Sequence, residues 1–341
     1  MDGIRVLRVW TYIAANSGFS KRVADYVSYA ISATIAARRV RPDLVVATSP
    51  QFFSAVAGYW VARRKRLPWV MEVRDLWPES IRAVGAAKGQ EKLLDRLEQL
   101  ELFLYRSAAK VVVVTHAFKR NLTERGIDPA KIEVVTNGVH TANFPRLPKD
   151  AALVEQLGLR DKFVVGYLGT HGMAHKLDFI LDCVSAAPKE VHFLFVGGGA
   201  RKAALEQRVA REGFSNVTML PSVAKAEIGR YISVTDVALV PLKKSDTFKT
   251  VIPSKIFENA AAGKPILLGV EGESQAIIQK YGAGLCFEPE NRESFLHQLR
   301  RLVEEPALYA ELKNNCAQLA QDYDRAKLAG NLLTILEEIH D

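Results

Sequence analysis

Ser254 and Glu258 stand four residues apart in the stretch PSKIFENAAAGKPIL (253–267), and that spacing is the clearest chemical signal in the chain. On a helix, residues so spaced share a face. Pro253 suits a first turn, where a backbone N–H has no helical partner anyway. Ser254, at or near the cap, leaves backbone N–H groups free to meet an anion. Gly263 stops the helix, and Pro265 prevents its resuming. A helix start that can hold phosphate, with a carboxylate one turn on to accept hydrogen bonds from sugar hydroxyls, is suited to a nucleotide. The plainer reading of Glu258 is an acid favoured by the helix dipole.

Three further groups of residues could do chemistry. Gly169-Thr170-His171-Gly172 follows the apolar run Phe163–Leu168, and glycines there let backbone approach a phosphate closely. Gly197-Gly198-Gly199 follows a second such run, with Arg201 and Lys202 behind it. These two cations either face a diphosphate or are simply solvated. The stretch EVRDLWPES (72–80) ends a third run and carries Glu72, Asp75 and Glu79 beside Arg74 and Trp77. Asp75 is either a reacting-centre acid or half of a structural pair with Arg74. His171 and His175, at i and i+4, have the spacing of metal ligands, but no third ligand is near them in sequence, so no metal site is expected.

The elements that must position these residues alternate. Short apolar runs, at Ile4–Val9, Leu44–Ala47, Trp69–Val73, Val111–Val114 and Ile132–Val135, are separated by amphipathic stretches. A second series follows at Phe163–Leu168, His192–Val196, Val217–Met219, Val237–Val240, Ile266–Leu268 and Leu285–Phe287. Such alternation predicts parallel sheets flanked by helices, an α/β fold. Uninterrupted runs such as VVVV (111–114) suit strands buried on both faces. The 341 residues suggest about two domains. The proline-bearing segment 143–150, after the turn signal Asn137-Gly138, predicts the boundary. The domains are then 1–145 and 151–322, with a final helical segment at 323–341.

Composition narrows the class. Hydrophobic residues at 48% allow a sizeable core. Three cysteines with no motif spacing read as reduced thiols, and no signal-like segment opens the chain, so a cytoplasmic protein is expected. Charge is uneven: residues 1–145 hold 22 Lys and Arg against 13 Asp and Glu, and the remainder 24 against 25. A basic half suggests an anionic partner, unless it is only a solvated face. An anionic membrane surface is preferred, because the mostly apolar helical stretch 20–37 lies among the basic residues. Nucleic acid is not expected, since aromatics are not interleaved with the cations.

These stretches, with RPDLVVATSP (41–50), TNGV (136–139), YLGTHGMAHKLD (167–178), VGGGARKAAL (196–205) and EGESQAII (271–278), resemble in order the retaining family 4 (group 1) glycosyltransferases. That family has the GT-B fold, two Rossmann-like domains facing across a cleft. EVRDLWPES and GTHGMAH are similar to a bacterial subgroup that adds N-acetylated amino sugars of the L-fucosamine type. The resemblance implies transfer of a hexose or N-acetylhexosamine from a UDP-sugar, with retention and without metal or other cofactor, to a lipid-linked or saccharide acceptor of surface polysaccharide synthesis. It implies a donor site of Gly169, Thr170, His171, Gly172, Gly198, Arg201, Lys202, Thr250, Ser254, Lys255 and Glu258, Glu258 taking the ribose, and Asp75 as the catalytic residue that orients the acceptor hydroxyl or stabilises positive charge on the donor sugar. The leaving diphosphate would help deprotonate the acceptor. It implies that the last helix crosses back to the first domain.

The chain departs from the family in three places. Thr250 stands where the first glutamate of the E-x7-E pair would be, and His175-Lys176 where many relatives have Lys-Gly. Asp2-Gly3-Ile4-Arg5-Val6 resembles the middle of the family's first domain, which implies that one or two βα units, about 60 residues, are absent ahead of it. A chain so shortened is expected to bind UDP but turn over poorly. Two other classes fit the same motifs: a GT-B sugar-nucleotide epimerase and a non-catalytic nucleotide-sugar-binding partner protein.

Overall fold

The computed structural model describes residues 3–13, 19–49, 52–77 and 91–340. They fall into two compact units, one of residues 1–136 with 329–341 and one of residues 137–328.

In the first unit four parallel strands, β1 (Val45–Thr48), β2 (Trp69–Val73), β3 (Lys110–Val113) and β4 (Ile132–Val134), pair in the order β1-β2-β3-β4. Helices α1 (Phe19–Ala37), α2 (Phe52–Lys65), α3 (Glu91–Ser107) and α4 (His116–Glu124) connect or precede them. Val70, Val73, Val111 and Val113 are fully buried, as a strand covered on both faces requires. Thr115 caps α4 by accepting from the Phe118 N–H at 3.1 Å.

The expected strand Ile4–Val9 does not form. Residues 4–13 have no regular structure, and Ile4, Trp10 and Ile13 are 71%, 69% and 81% exposed. The segment is held to α1 by side chains instead: Thr11 Oγ1 donates to Asp25 Oδ1 at 2.6 Å, and the Tyr12 N–H donates to Ser28 Oγ at 2.8 Å. An apolar run becomes a strand only when a neighbouring ladder takes its N–H and C=O groups, which a pattern of side chains does not reveal.

The second unit holds six parallel strands: β5 (Phe163–Leu168), β6 (Val191–Val196), β7 (Val217–Leu220), β8 (Val237–Pro241), β9 (Ile266–Gly269) and β10 (Gly284–Cys286). Their order is β10-β9-β8-β5-β6-β7. Residues alternate between two apolar layers. Val165, Tyr167, Leu239 and Leu267 pack with α6 (Leu177–Cys183) and α11 (Arg292–Glu304). Ala238, Val240, Ile266 and Leu268 pack with α9 (Lys255–Ala261), α10 (Glu273–Tyr281) and α12 (Pro306–Asp322). The remaining helices are α5 (Ala151–Gln156), α7 (Lys202–Glu212), α8 (Ile228–Ser233) and α13 (Arg325–His340). From β5 the chain winds outward to β6 and β7, then returns beside β5 as β8 and winds the other way. That reversal opens a crevice at the carboxyl ends of β5 and β8, where parallel sheets bind ligands.

The boundary lies earlier than the prolines suggest. Residues 137–145 belong to the second unit, because Val139 bridges to Asp324, Thr141 Oγ1 donates to Asp324 Oδ2 at 2.6 Å and the Arg325 N–H donates to the Val139 carbonyl at 2.8 Å. The second division falls inside α13, whose residues from Ala329 on go with the first unit. No helix among the described residues is long and apolar enough to cross a membrane.

Candidate functional site

The β5 and β6 strands deliver their glycines to one place. The Gly169 N–H donates to the Val196 carbonyl at 2.9 Å, extending the ladder past the strand end, and the His171 N–H donates to the Gly198 carbonyl at 2.8 Å. The Arg201 N–H returns the tie to the His171 carbonyl at 2.9 Å. Gly169 and Gly199 have φ of +146° and +147°, where a side chain is strained, and a Cβ at Gly199 would lie 2.7 Å from the His171 carbonyl oxygen. The two turns are therefore interlocked backbone, and only glycine permits it.

The start of α9 meets these turns through Lys255. Its Nζ lies 4.0 Å above the Tyr167 ring centroid and 2.9 Å from where a Cβ of Gly169 would be. The ammonium is buried and has no hydrogen-bond acceptor among the described residues. Burial pushes its pKa down to about 8, against the pull of the Glu258 carboxylate. Tyr167, on buried β5, donates its hydroxyl to the Thr170 carbonyl at 2.6 Å, fixing the first turn from beneath. His171 is fully buried with neither ring nitrogen bonded, and the Nδ1 of His175 is likewise buried and unbonded. Burial, with the Lys255 charge and, for His171, that of Lys202, holds both imidazoles near pKa 4, so both are neutral at pH 7.

The remaining predicted residues divide by how their charges are used. Lys202 Nζ donates to the carbonyls of Gly197 (2.9 Å) and Leu220 (2.7 Å), closing the turn rather than facing outward. Arg201 pairs with Asp178 at 2.8 Å. Lys176 adopts the left-handed conformation, φ +44°, and its ammonium pairs with Glu290 at 3.0 Å. The chain thus keeps at Lys176 the backbone shape that a glycine would supply, while the lysine's charge is taken. Ser254 precedes α9 with no side-chain cap bond and is exposed. Glu258, one turn on, is half-buried. Gly263 (φ +71°) ends α9, as expected. Thr250 lies in the 3-10 turn Asp246–Thr250, its hydroxyl donating to the Thr247 carbonyl at 3.0 Å. A Cβ at Gly198 would meet Ser222 Oγ at 2.9 Å, and Gly172 opens the turn carrying His175.

Asp75 belongs to the first unit. It is half-buried in the turn after β2, where the Arg74 N–H donates to Ser49 Oγ at 3.0 Å and Thr48 Oγ1 donates to Glu72 at 2.6 Å. Residues 78–80 of EVRDLWPES, Glu79 among them, lie outside the described residues. Sequence reasoning missed Tyr167. The signal was present: a lone tyrosine near the carboxyl end of a buried strand must find a partner for its hydroxyl.

Residues 1–138 match the profile of a glycosyl transferase 4-like domain, and residues 162–305 match that of the glycosyl transferases group 1. Each half of the chain is thus similar to one domain of the family 4/group 1 glycosyltransferases. WbjE of Pseudomonas aeruginosa, named as a glycosyltransferase, is 30% identical over 246 residues, 70% of this chain and 59% of that protein. WcaI of Escherichia coli K12, named as a colanic acid biosynthesis glycosyl transferase, is 24% identical over 314 residues, 87% and 76% of the two chains. The chain thus spans less than two thirds of WbjE's length. The crystal structure of Anabaena Alr3699/HepE in complex with UDP superposes with a TM-score of 0.76 at 19% identity, covering 95% of this chain and 85% of that one. That likeness shows the GT-B fold, two parallel-sheet Rossmann-like domains.

Proposed function

We propose that this chain is a group 1 glycosyltransferase that transfers a hexose or N-acetylhexosamine from a UDP-sugar, with retention, to a lipid-linked or saccharide acceptor in surface polysaccharide synthesis. One observation carries the reading: the interlocked glycine turns after β5 and β6 and the start of α9 converge at the crevice where the second sheet reverses. Backbone can approach a diphosphate there, and Glu258 lies one turn along α9 for sugar hydroxyls. Relatives named for colanic acid and teichuronic acid biosynthesis support the process, and neighbours solved with UDP or UDP-glucose support the donor class.

In the proposed reaction the bond from the anomeric carbon to the diphosphate oxygen breaks, a bond to the acceptor oxygen forms on the same face, and the acceptor's hydroxyl proton passes to the departing diphosphate. The growing diphosphate charge is met by fixed dipoles and cations, worth most where water is excluded. No metal is required for this, and turnover is expected to survive EDTA. Asp75 is proposed to orient the acceptor or to stabilise positive charge on the donor sugar. A cytoplasmic location at the membrane periphery is part of the proposal; the basic first half and the exposed Tyr29, Ile31 and Ile35 of α1 support it.

The test is a panel of UDP-sugars incubated with the full chain and bacterial membrane extract. Transfer of labelled sugar to an extractable acceptor is expected. Release of a UDP-bound epimer without acceptor would replace the reading with an epimerase, and UDP binding without turnover would replace it with a binding protein.

A further inference from the structure

The cations placed around the glycine turns are nearly all spent. Lys202 is bonded to two carbonyls, Arg201 to Asp178, and Lys176 to Glu290. Lys255 differs: its Nζ is shut away from water on the Tyr167 ring, beside Gly169, with no oxygen bonded to it. A buried ammonium without an acceptor costs stability and is not kept by packing alone. The groups facing it are an aromatic ring, the imidazole of His171 with neither nitrogen bonded, that of His175 bonded to the Pro241 backbone with only Nδ1 unbonded, and, from its own helix, Glu258; Lys202 and Glu206 of α7 also act on His171. None of the backbone oxygens of the two turns takes its charge. The place is buried, beside the start of α9, and holds an ammonium without an oxygen and a His171 ring with neither nitrogen bonded.

Resting on the UDP-sugar reading, we infer that Lys255, rather than Arg201, Lys202 or Lys176, is the side-chain cation that binds the donor's diphosphate, with His171 as a hydrogen-bond donor beside it. Diphosphate supplies the oxygen that the ammonium lacks, so the stability forgone in the empty protein is recovered as affinity for the charged part of the donor. On this reading uridine and ribose are held by groups other than Lys255, Glu258 among them, so their affinity depends little on Lys255.

Lys255→Met tests this, since methionine fills the same space without charge. Calorimetry on the full chain compares UDP with uridine, and thermal unfolding is followed without ligand. The variant is expected to lose UDP affinity at least tenfold, to keep uridine affinity within about twofold, and to unfold at the same or a higher temperature than the wild type. Equal loss for UDP and uridine with a lower unfolding temperature would make Lys255 structural and overturn the inference, as would unchanged UDP affinity. Lys255→Arg guards against a folding defect: it keeps the charge, and recovery of part of the UDP affinity is expected. Failure of the wild type itself to bind UDP would strike the UDP-sugar reading instead.

Discussion

At the scale of single residues, the proposed donor site is built from groups whose ordinary chemistry is suppressed by burial. Glu258→Ala is expected to weaken UDP binding by about 1–3 kcal/mol, the cost of leaving sugar hydroxyls without a charged acceptor, read by calorimetry. Asp75→Asn is expected to leave UDP affinity intact and cut turnover at least about tenfold, about 1.4 kcal/mol in the barrier, measured at saturating donor. The histidines make a pH prediction. His171 and His175 are held near 4 in the folded protein against 6.5 when free, so the unfolded chain takes up protons first as pH falls. Their contribution to stability is complete above about 6.5 and is lost as pH falls toward 4. The unfolding temperature should therefore drop across that window, and His171→Leu should flatten the drop.

At the scale of elements, several residues that look like binding cations are fasteners. Buried Lys264 donates to the carbonyls of Ser233 and Thr235 at 2.9 and 2.7 Å, tying the end of α8 to the turn before β9. Lys264→Met should destabilise the second unit by about 1–3 kcal/mol, because two buried carbonyls lose their donor. This is the opposite sign from Lys255→Met, although burial pushes both lysines down to about 8. Denaturant midpoints of the two variants decide it. In the first unit, buried Glu101 is satisfied by the Tyr105 hydroxyl at 2.7 Å and by Arg125, joining α3 to the end of α4.

At the scale of the molecule, the basic bias of residues 1–145 finds a surface. Arg63, Arg64 and Arg66 are exposed at and after the end of α2, whereas Lys65 is held by the Val40 carbonyl at 2.8 Å. Reversing the three arginines to glutamate, and sparing Lys65, should reduce sedimentation with anionic vesicles, and added salt should reproduce the loss in the wild type. Absence of wild-type sedimentation at low salt would remove the membrane proposal.

The sequence by itself determined the α/β class, ten of the eleven expected strands to within about two residues, the two-unit division and the glycine turns. These are local: a buried parallel strand reads as an apolar run, and a turn that only glycine can make reads as glycine. Tertiary structure decided the rest. Ile4–Val9 has a strand's composition without a strand's partner, and residues 137–145 were drawn into the second unit by Asp324 and Arg325, far away in the chain. Above all, Lys176, Arg201, Lys202, Lys255 and Lys264 are alike as letters. Only the fold shows four of them bonded to oxygen and one, Lys255, buried without it, because a charge's worth is set by what surrounds it and not by its place in the sequence.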